Sequence, residues 1–409
     1  MEPKIRFKGF EGEWKTPSIG DVFELRNGYT PSKIVKEFWE GGTIPWFRME
    51  DIRINGGFLK DALQHITPLA VKGAGLFEKN SIILATTATI GVHAMLIADS
   101  LANQRFTNFK VRKSLSDEYI DEFIYYSFFK IDEWSKNNTN SGGLLSVNMP
   151  LLVKQGFLTP CKEEQQTIAS YFRILDAKLQ ASTKKVESLK KLKSASLVTM
   201  FPQNGESTPK VRFKGFEGEW KETTLSECLD ISYLQNSENK YDKNDVLSVS
   251  DDFGVMNQIE LLGRSYAGKD VSSYSILQKG EIVYTKSPLK DKPFGIIKKN
   301  SYQTGIVSIL YAVYHSKDNI SADYIHYYFD PAWRLNAYMR PLVNKGAKNT
   351  MNISDEMALM GSLILPPSLA EQQAIATFFR SLDRKIALET ARLEKLKQIK
   401  LACLDKMFV

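Results

Sequence analysis

The chain has 409 residues, room for two or three ordinary domains, because one core rarely grows past roughly 250–300 residues. Its 43% hydrophobic and 25% charged residues are those of a folded protein and exclude wholesale disorder or collagen-like structure. Fifty-four Lys and Arg against 47 Asp and Glu give a net charge of +7, a weak lean towards an anionic partner. Cys161, Cys228 and Cys403 lie far apart, which suits a reducing compartment and argues against a disulfide frame or zinc knuckle. The four histidines (His65, His93, His315, His326) form no HExxH or other helical pair, so no bound metal is expected.

Met1 to Arg6 is charged and has no apolar core of a secretory signal, so a cytoplasmic chain without a membrane segment is expected. Lys4–Lys15 reads KIRFKGFEGEWK and returns at Lys210–Lys221 as KVRFKGFEGEWK, with one Ile/Val exchange in twelve positions. Ile44–Phe47 and Ser81–Leu84 read as strands. Ser81–Ala98 carries no formal charge, but Thr86, Thr87, Thr89, Gly91 and His93 interrupt it, so it predicts two buried strands joined near Gly91. Tyr119–Lys130 reads as a helix. In the second half, Gly280–Tyr284 and Ile306–Leu310 are strand-like and Ala322–Phe329 is helix-like.

A second repeated marker lies late in each half. Glu164-Gln165-Gln166, Ile168-Ala169, Phe172-Arg173, Leu175-Asp176 and Lys178 recur as Glu371-Gln372-Gln373, Ile375-Ala376, Phe379-Arg380, Leu382-Asp383 and Lys385. The match runs on to Met200-Phe201 and Met407-Phe408. Both segments are helical by period, with apolar stripes at Ile168, Phe172, Leu175, Leu179, Val186 and Leu189, and at Ile375, Phe379, Leu382, Ile386, Leu393 and Leu396. Ser182 and Glu389 fill the one weak place in each. Pro160 and Pro367 stand just before the helices, where proline is tolerated. Two arrangements satisfy such stripes: packing on their own blocks, or pairing with each other. Length and shared register favour the second, and a pseudo-twofold relation would make the pair antiparallel.

Between the markers the halves hardly align, so a repeated frame carries unlike contents. The expected fold is α+β: two strand-rich globular recognition domains separated by two long helices in an antiparallel coiled coil. The boundaries are 1–160 for the first domain, 161–202 for a central spacer helix, 203–209 for a polar linker, 210–366 for the second domain and 367–409 for a C-terminal spacer helix.

Catalytic signatures are missing. There is no GxxxxGK[ST] loop, no strand-placed GxGxxG and no GxSxG elbow. An amino-methyltransferase needs a [DNS]-Pro-Pro-aromatic loop, and Asp330-Pro331-Ala332-Trp333 lacks the second proline. Glu238-Asn239-Lys240 has nuclease letters in a polar loop, while Asp176-Ala177-Lys178 and Asp383-Arg384-Lys385 lie inside helices, where i and i+2 point apart. The chain reads as non-catalytic. What remains is recognition chemistry: Arg26, Tyr29, Lys33, Arg48, Arg53, Gln104 and Arg105 in the first block, and Tyr284, Lys286, Lys290, Lys292, Arg340, Lys345, Lys348 and Asn349 in the second. Lys and Arg neutralise phosphates, while Arg, Gln and Asn can pair base edges. Gly142-Gly143 and Gly346 add flexible backbone beside these polar tips.

Two divergent blocks, each opened by a Trp-containing segment and closed by Pro and Glu-Gln-Gln-x-Ile-Ala, resemble the DNA-specificity subunit of type I restriction–modification enzymes. Ile19-Gly20-Asp21-Val22, Gly28-x-Thr30-Pro31-Ser32, Ile44-Pro45-Trp46, Thr89-Ile90-Gly91 and Asn103-Gln104 carry the likeness further; the second block lacks the Gly-x-Thr-Pro and Thr-Ile-Gly strings. The resemblance implies two target recognition domains, each reading half of a split, asymmetric site in double-stranded DNA. It implies helices that set the spacer and dock two modification (methyltransferase) subunits, and it adds restriction subunits that translocate and cut DNA. No cofactor would bind this chain; S-adenosylmethionine, ATP and magnesium would sit on the other subunits. Two rivals stay open. One is a coiled-coil adaptor without DNA binding, the other a single-chain DNA-modifying enzyme.

Overall fold

The computed structural model describes residues 2–408 apart from 141–142, 204, 290–291 and 346–350. It divides into two compact units, Met1–Thr183 with Ala391–Val409, and Lys184–Thr390, so each unit boundary falls inside a long helix.

In the first unit, among the described residues, the main sheet runs in the order Phe23–Asn27, Phe106–Val111, Ser81–Ala85, His93–Leu96 and Phe58–Leu59. The first four strands are antiparallel and the last is parallel. Ser81–Ala85 is buried throughout, as a central strand covered on both faces must be. It turns into His93–Leu96 through Gly91 at φ +71°, where a β-carbon would meet Asp132 O at 2.5 Å. The helix expected at Tyr119–Lys130 runs over Asp121–Asn137 and buries Phe123, Tyr126 and Phe128 against the sheet. A smaller sheet joins Ile44–Phe47 antiparallel to His65–Ile66 and parallel to Leu101–Ala102.

The second unit repeats this core with little of the same sequence. Leu229–Ile231, Ala312–Ser316, Ile282–Tyr284 and Ile297–Lys299 follow the order of the first four strands. The registers correspond: Phe23 pairs with Val111 and Leu229 with Ser316, while Leu84 pairs with Thr107 and Tyr284 with Ala312. Each first strand follows a one-turn helix, Ile19–Val22 or Leu225–Cys228. One reading of the sequence is corrected. The strand expected over Ile306–Leu310 ends at Val307, because the Ser308 hydroxyl accepts the Leu310 N–H at 3.3 Å and bends the backbone into a turn. Beyond Ala322–Tyr328 a second helix, Ala332–Met339, carries the buried Arg334, Leu335 and Met339.

The repeated strings form the frame. In the first unit Arg6 binds Glu164 with two hydrogen bonds of 2.7 and 2.8 Å, and its guanidinium also donates to Gly12 O and Glu11 O. In the second, Arg212 binds Glu371 at 2.6 and 2.8 Å and donates to Gly218 O and Glu217 O. Both carboxylates are fully buried, which makes the paired guanidinium obligatory. The next residue is a clamp: the Gln165 amide accepts from Ile120 N and donates to Glu118 O, and Gln372 accepts from Ser321 N and donates to Asn319 O.

The long helices run over Lys162–Thr199 and Leu369–Met407, 38 and 39 residues or about 57–58 Å each. Along both stripes Ile168, Phe172, Leu175, Val186, Ile375, Phe379, Leu382 and Leu393 are buried, and Leu179, Leu189, Ile386 and Leu396 are half-buried. In the first unit Asp176 meets Lys400 at 2.6 Å, and the Tyr171 hydroxyl lies 3.4 Å from Cys403 Sγ. In the second, Lys185 meets Glu389 at 3.0 Å and Lys193 meets Asp383 at 2.9 Å. Numbers rise on one helix as they fall on the other, so the pairing is antiparallel within each unit. Asp176 and Asp383, whose neighbours spell nuclease letters, are thus ion-pair partners; each also accepts a tyrosine hydroxyl, from Tyr126 and Tyr327. The terminal Met-Phe pairs close the cores: Phe408 packs on Trp14, Phe123 and Phe172, and Phe201 on Tyr324, Tyr328 and Phe379.

Candidate nucleic-acid interface

Three connections meet at one edge of the first unit. The loop after Phe23–Asn27 passes so close to Ala102–Asn103 that a β-carbon on Gly28 would lie 2.2 Å from Asn103 O. Only glycine fits there, and it brings Thr30 beside the turn Asn103–Phe106, where the Thr30 hydroxyl donates to Gln104 Oε1 at 2.5 Å. The third connection is the helix Met49–Asn55. The buried Asp51 carboxylate accepts the N–H groups of Arg48 and Leu63, both at 2.7 Å, and so fixes where Arg48 and Arg53 emerge.

The result is a cleft of about 490 Å³ lined by Thr30, Lys33, Trp46, Arg48, Glu50, Arg53, Thr89, Asn103, Gln104 and Arg105, with Met49. Five of the seven first-block candidates share it. Four cationic side chains face one carboxylate, Glu50, which pairs with Arg48 at 2.9 Å. Arg48 Nε is buried without a hydrogen-bond partner in the described structure. Such a cleft offers cations for phosphates and amide or guanidinium donors for base edges. The other two candidates turn inward. Arg26 donates to Gly75 O and Leu76 O, with its guanidinium 5.2 Å from the Phe77 ring centre. The Tyr29 hydroxyl donates to Ala70 O and accepts Lys72 N–H. These two hold the 70–77 loop. Thr30, Trp46, Thr89 and Asn103 were not nominated by charge, yet they belong to the Gly-x-Thr-Pro, Ile-Pro-Trp, Thr-Ile-Gly and Asn-Gln strings. Those strings are far apart in the chain and meet here.

The second-block candidates are not gathered in this way. Tyr284 is corrected: it is fully buried, its hydroxyl donates to Phe294 O, and burial holds its pKa well above the usual tyrosine value. Lys292 is corrected as well, being buried and bound to Asp251 at 2.5 Å and to Asp330 O. Lys286 pairs with Asp355 at 2.6 Å, and Arg340 is exposed at the end of the helix Ala332–Met339. Lys345 lies in the short strand Asn344–Lys345. Lys290, Lys348 and Asn349 lie outside the described residues, as do Gly142 and Gly346.

Among the described residues no cluster of three His, Cys, Asp or Glu side chains could hold a metal ion, and no helix is long and apolar enough to cross a membrane.

The EcoprrI specificity subunit of a type I restriction enzyme from Escherichia coli is 46% identical over 158 residues, 39% of either chain. The MjaIX specificity subunit from Methanocaldococcus jannaschii is 30% identical over 185 residues, 44% of this chain and 42% of that one. The chain therefore aligns with only about two fifths of each of these relatives. The MjaVIII specificity subunit of the same organism aligns over 95% of this chain and 90% of its own length, at 21% identity. Among solved structures, the S subunit of a type I restriction–modification system from M. genitalium covers 100% of this chain and 99% of its own, with a TM-score of 0.61 at 16% identity. That likeness is one of fold. The type I restriction modification DNA specificity domain matches residues 11–191 and again 217–398, and with most of its length so matched the chain belongs to that family, carrying its domain twice.

Proposed function

We propose that this chain is the DNA sequence-recognition subunit of a type I restriction–modification complex and is not itself catalytic. Each recognition domain reads one half of a bipartite, asymmetric site in double-stranded DNA. The domains span residues 1–160 and 210–366, the spacer helices 161–202 and 367–409, and the linker 203–209. The helices set the spacer between half-sites and dock two modification subunits, which bring S-adenosylmethionine; restriction subunits with ATP and magnesium join them. The carrying observation is the basic cleft of the first unit, where Lys33, Arg48, Arg53, Gln104 and Arg105 converge on a scaffold that recurs with other contents in the second unit. Within the first unit the DNA-contacting set is those five residues.

The test exchanges residues 16–155 for the first block of another family member and maps methylated adenines in DNA from cells carrying the assembled complex. One half of the methylated sequence should change and the other should stay the same. A change in both halves would mean the blocks do not read independently. Methylation without any defined sequence would remove the recognition role altogether.

A further inference from the structure

The corner that carries Gln104 and Arg105 in the first unit has a counterpart in the second. The register that matches Thr107 with Ala312 and Val111 with Ser316 carries Asn103, Gln104 and Arg105 onto Ser308, Ile309 and Leu310. The neighbouring connections agree. Arg112 N–H binds Val22 O, and Lys317 N–H binds Cys228 O; Trp46 lies parallel to Leu101, and Val246 to Ile306.

The turn itself is the same device. Asn103 Oδ1 accepts Arg105 N–H at 3.0 Å, and Ser308 Oγ accepts Leu310 N–H at 3.3 Å. The next residue then closes the turn in each, with Phe106 N–H on Asn103 O and Tyr311 N–H on Ser308 O. On this shared backbone the first unit exposes an amide and a guanidinium. The second exposes two aliphatic side chains, Ile309 at 58% and Leu310 at 61% of their surface. Burial would favour tucking them in, so two adjacent large aliphatics held out at a turn tip by a hydrogen-bonded serine are placed for contact with something apolar.

We infer that Ile309 and Leu310 are the base-reading residues of the second recognition domain, and that they contact 5-methyl groups of thymine in the major groove. The inference rests on the recognition role proposed above. Thymine's methyl is the apolar group that a base pair presents in the major groove, and it is read by side chains that have no polar group to leave unpaired. The first domain would then discriminate bases by hydrogen bonds and the second in part by shape and methyl contact.

The experiment uses the complex assembled with its modification subunits. Methylation mapping of the unaltered complex first defines the bipartite site; its failure to yield one sinks the recognition role rather than this assignment. Ile309→Gln with Leu310→Arg, which installs the first domain's pair, should then change the preferred sequence of one half-site alone. In binding titrations, replacing thymine by deoxyuridine in that half-site should weaken the unaltered complex about fourfold for each methyl lost. Ile309→Ala with Leu310→Ala should bind the two DNAs alike, and it serves where the polar exchange fails to assemble. An unchanged half-site with the polar pair, or equal binding of thymine and deoxyuridine by the unaltered complex, would overturn the assignment.

Discussion

Asn103–Arg105 and Ser308–Leu310 occupy corresponding corners in the two units, each bent by a side-chain-to-backbone hydrogen bond of the same kind, and they offer opposite chemistry to the outside. The Arg–Glu pairs of the two units differ by no more than about 0.1 Å in their matching bonds. A recognition scaffold of this kind separates two jobs. Buried ion pairs and amide clamps fix the geometry and repeat letter for letter. Turn tips that contribute nothing to the core are free to differ, so a new side chain there alters what is read without altering what is folded. The comparison therefore makes two demands: equal responses when the frame is cut, and unequal ones when the contents are.

The largest effect is expected in the frame. Arg6→Ala and Arg212→Ala each leave a fully buried glutamate, Glu164 or Glu371, without its bidentate partner. Breaking one side of such a pair costs about 3–5 kcal/mol. Because the two sites match bond for bond, denaturant unfolding should give the same loss for both variants. A difference of about 2 kcal/mol or more would show that the two frames are not equivalent in energy.

A smaller, unequal effect comes from acid. Tyr327 and Tyr126 donate to corresponding aspartates, so His326 of the second unit stands where the first unit has Tyr125. Burial lowers the His326 pKa to about 4, with Lys298 and Lys193 adding to the shift and Asp330 and Asp323 opposing it. The ring is neutral in the folded unit, whereas the unfolded chain takes up the proton near pH 6.5. The unfolded state then binds more protons below that value. Stability from this group is thus complete above pH 6.5 and falls as the pH drops towards 4, by roughly 3 kcal/mol in all. Tyr125 gains no proton in that range. Unfolding midpoints of the unaltered chain and of His326→Gln should therefore converge as pH falls from 7 to 4.5; parallel curves would show that this ring carries no acid sensitivity.

How far these features could be read from the sequence follows the same division. The frame was legible because twelve-residue strings and heptad stripes repeat almost unchanged, and periodicity predicts the two helices to within a few residues. What the repeated Arg, Glu and Gln do was not legible, since Arg6 and Glu164 meet across 158 positions. In the first domain charge and loop context found five cleft residues, but the same signal nominated Arg26 and Tyr29, whose partners lie 41 to 50 residues away. In the second domain a search for interleaved basic and aromatic residues led to Lys286 and Lys292, which are bound to carboxylates, and to Tyr284 in the core. The exposed pair there is aliphatic, and Ile309 and Leu310 read as the end of a strand until Ser308 is seen to bend it.

The smallest effect tests the first domain's tip alone. Gln104 is exposed, and an exposed amide samples several rotamers and both faces unless something holds it. Thr30 holds it, donating its hydroxyl to Oε1 and leaving the amide N–H groups free to point into the cleft. Gly28 exists to make that approach possible, so the loop and the turn act together. Thr30→Val keeps the shape of the side chain and removes the donor. A hydrogen bond of this kind contributes about 0.5–1.5 kcal/mol, so affinity for the preferred site should fall by roughly two- to twelvefold. Folding should change little, because both groups are on the surface. Discrimination should weaken at one position of the first half-site, and the second half-site should be unaffected, since its reader has no amide to orient. Methylation mapping of the variant complex gives the answer, and undiminished discrimination in both halves would show that Gln104 needs no help from Thr30.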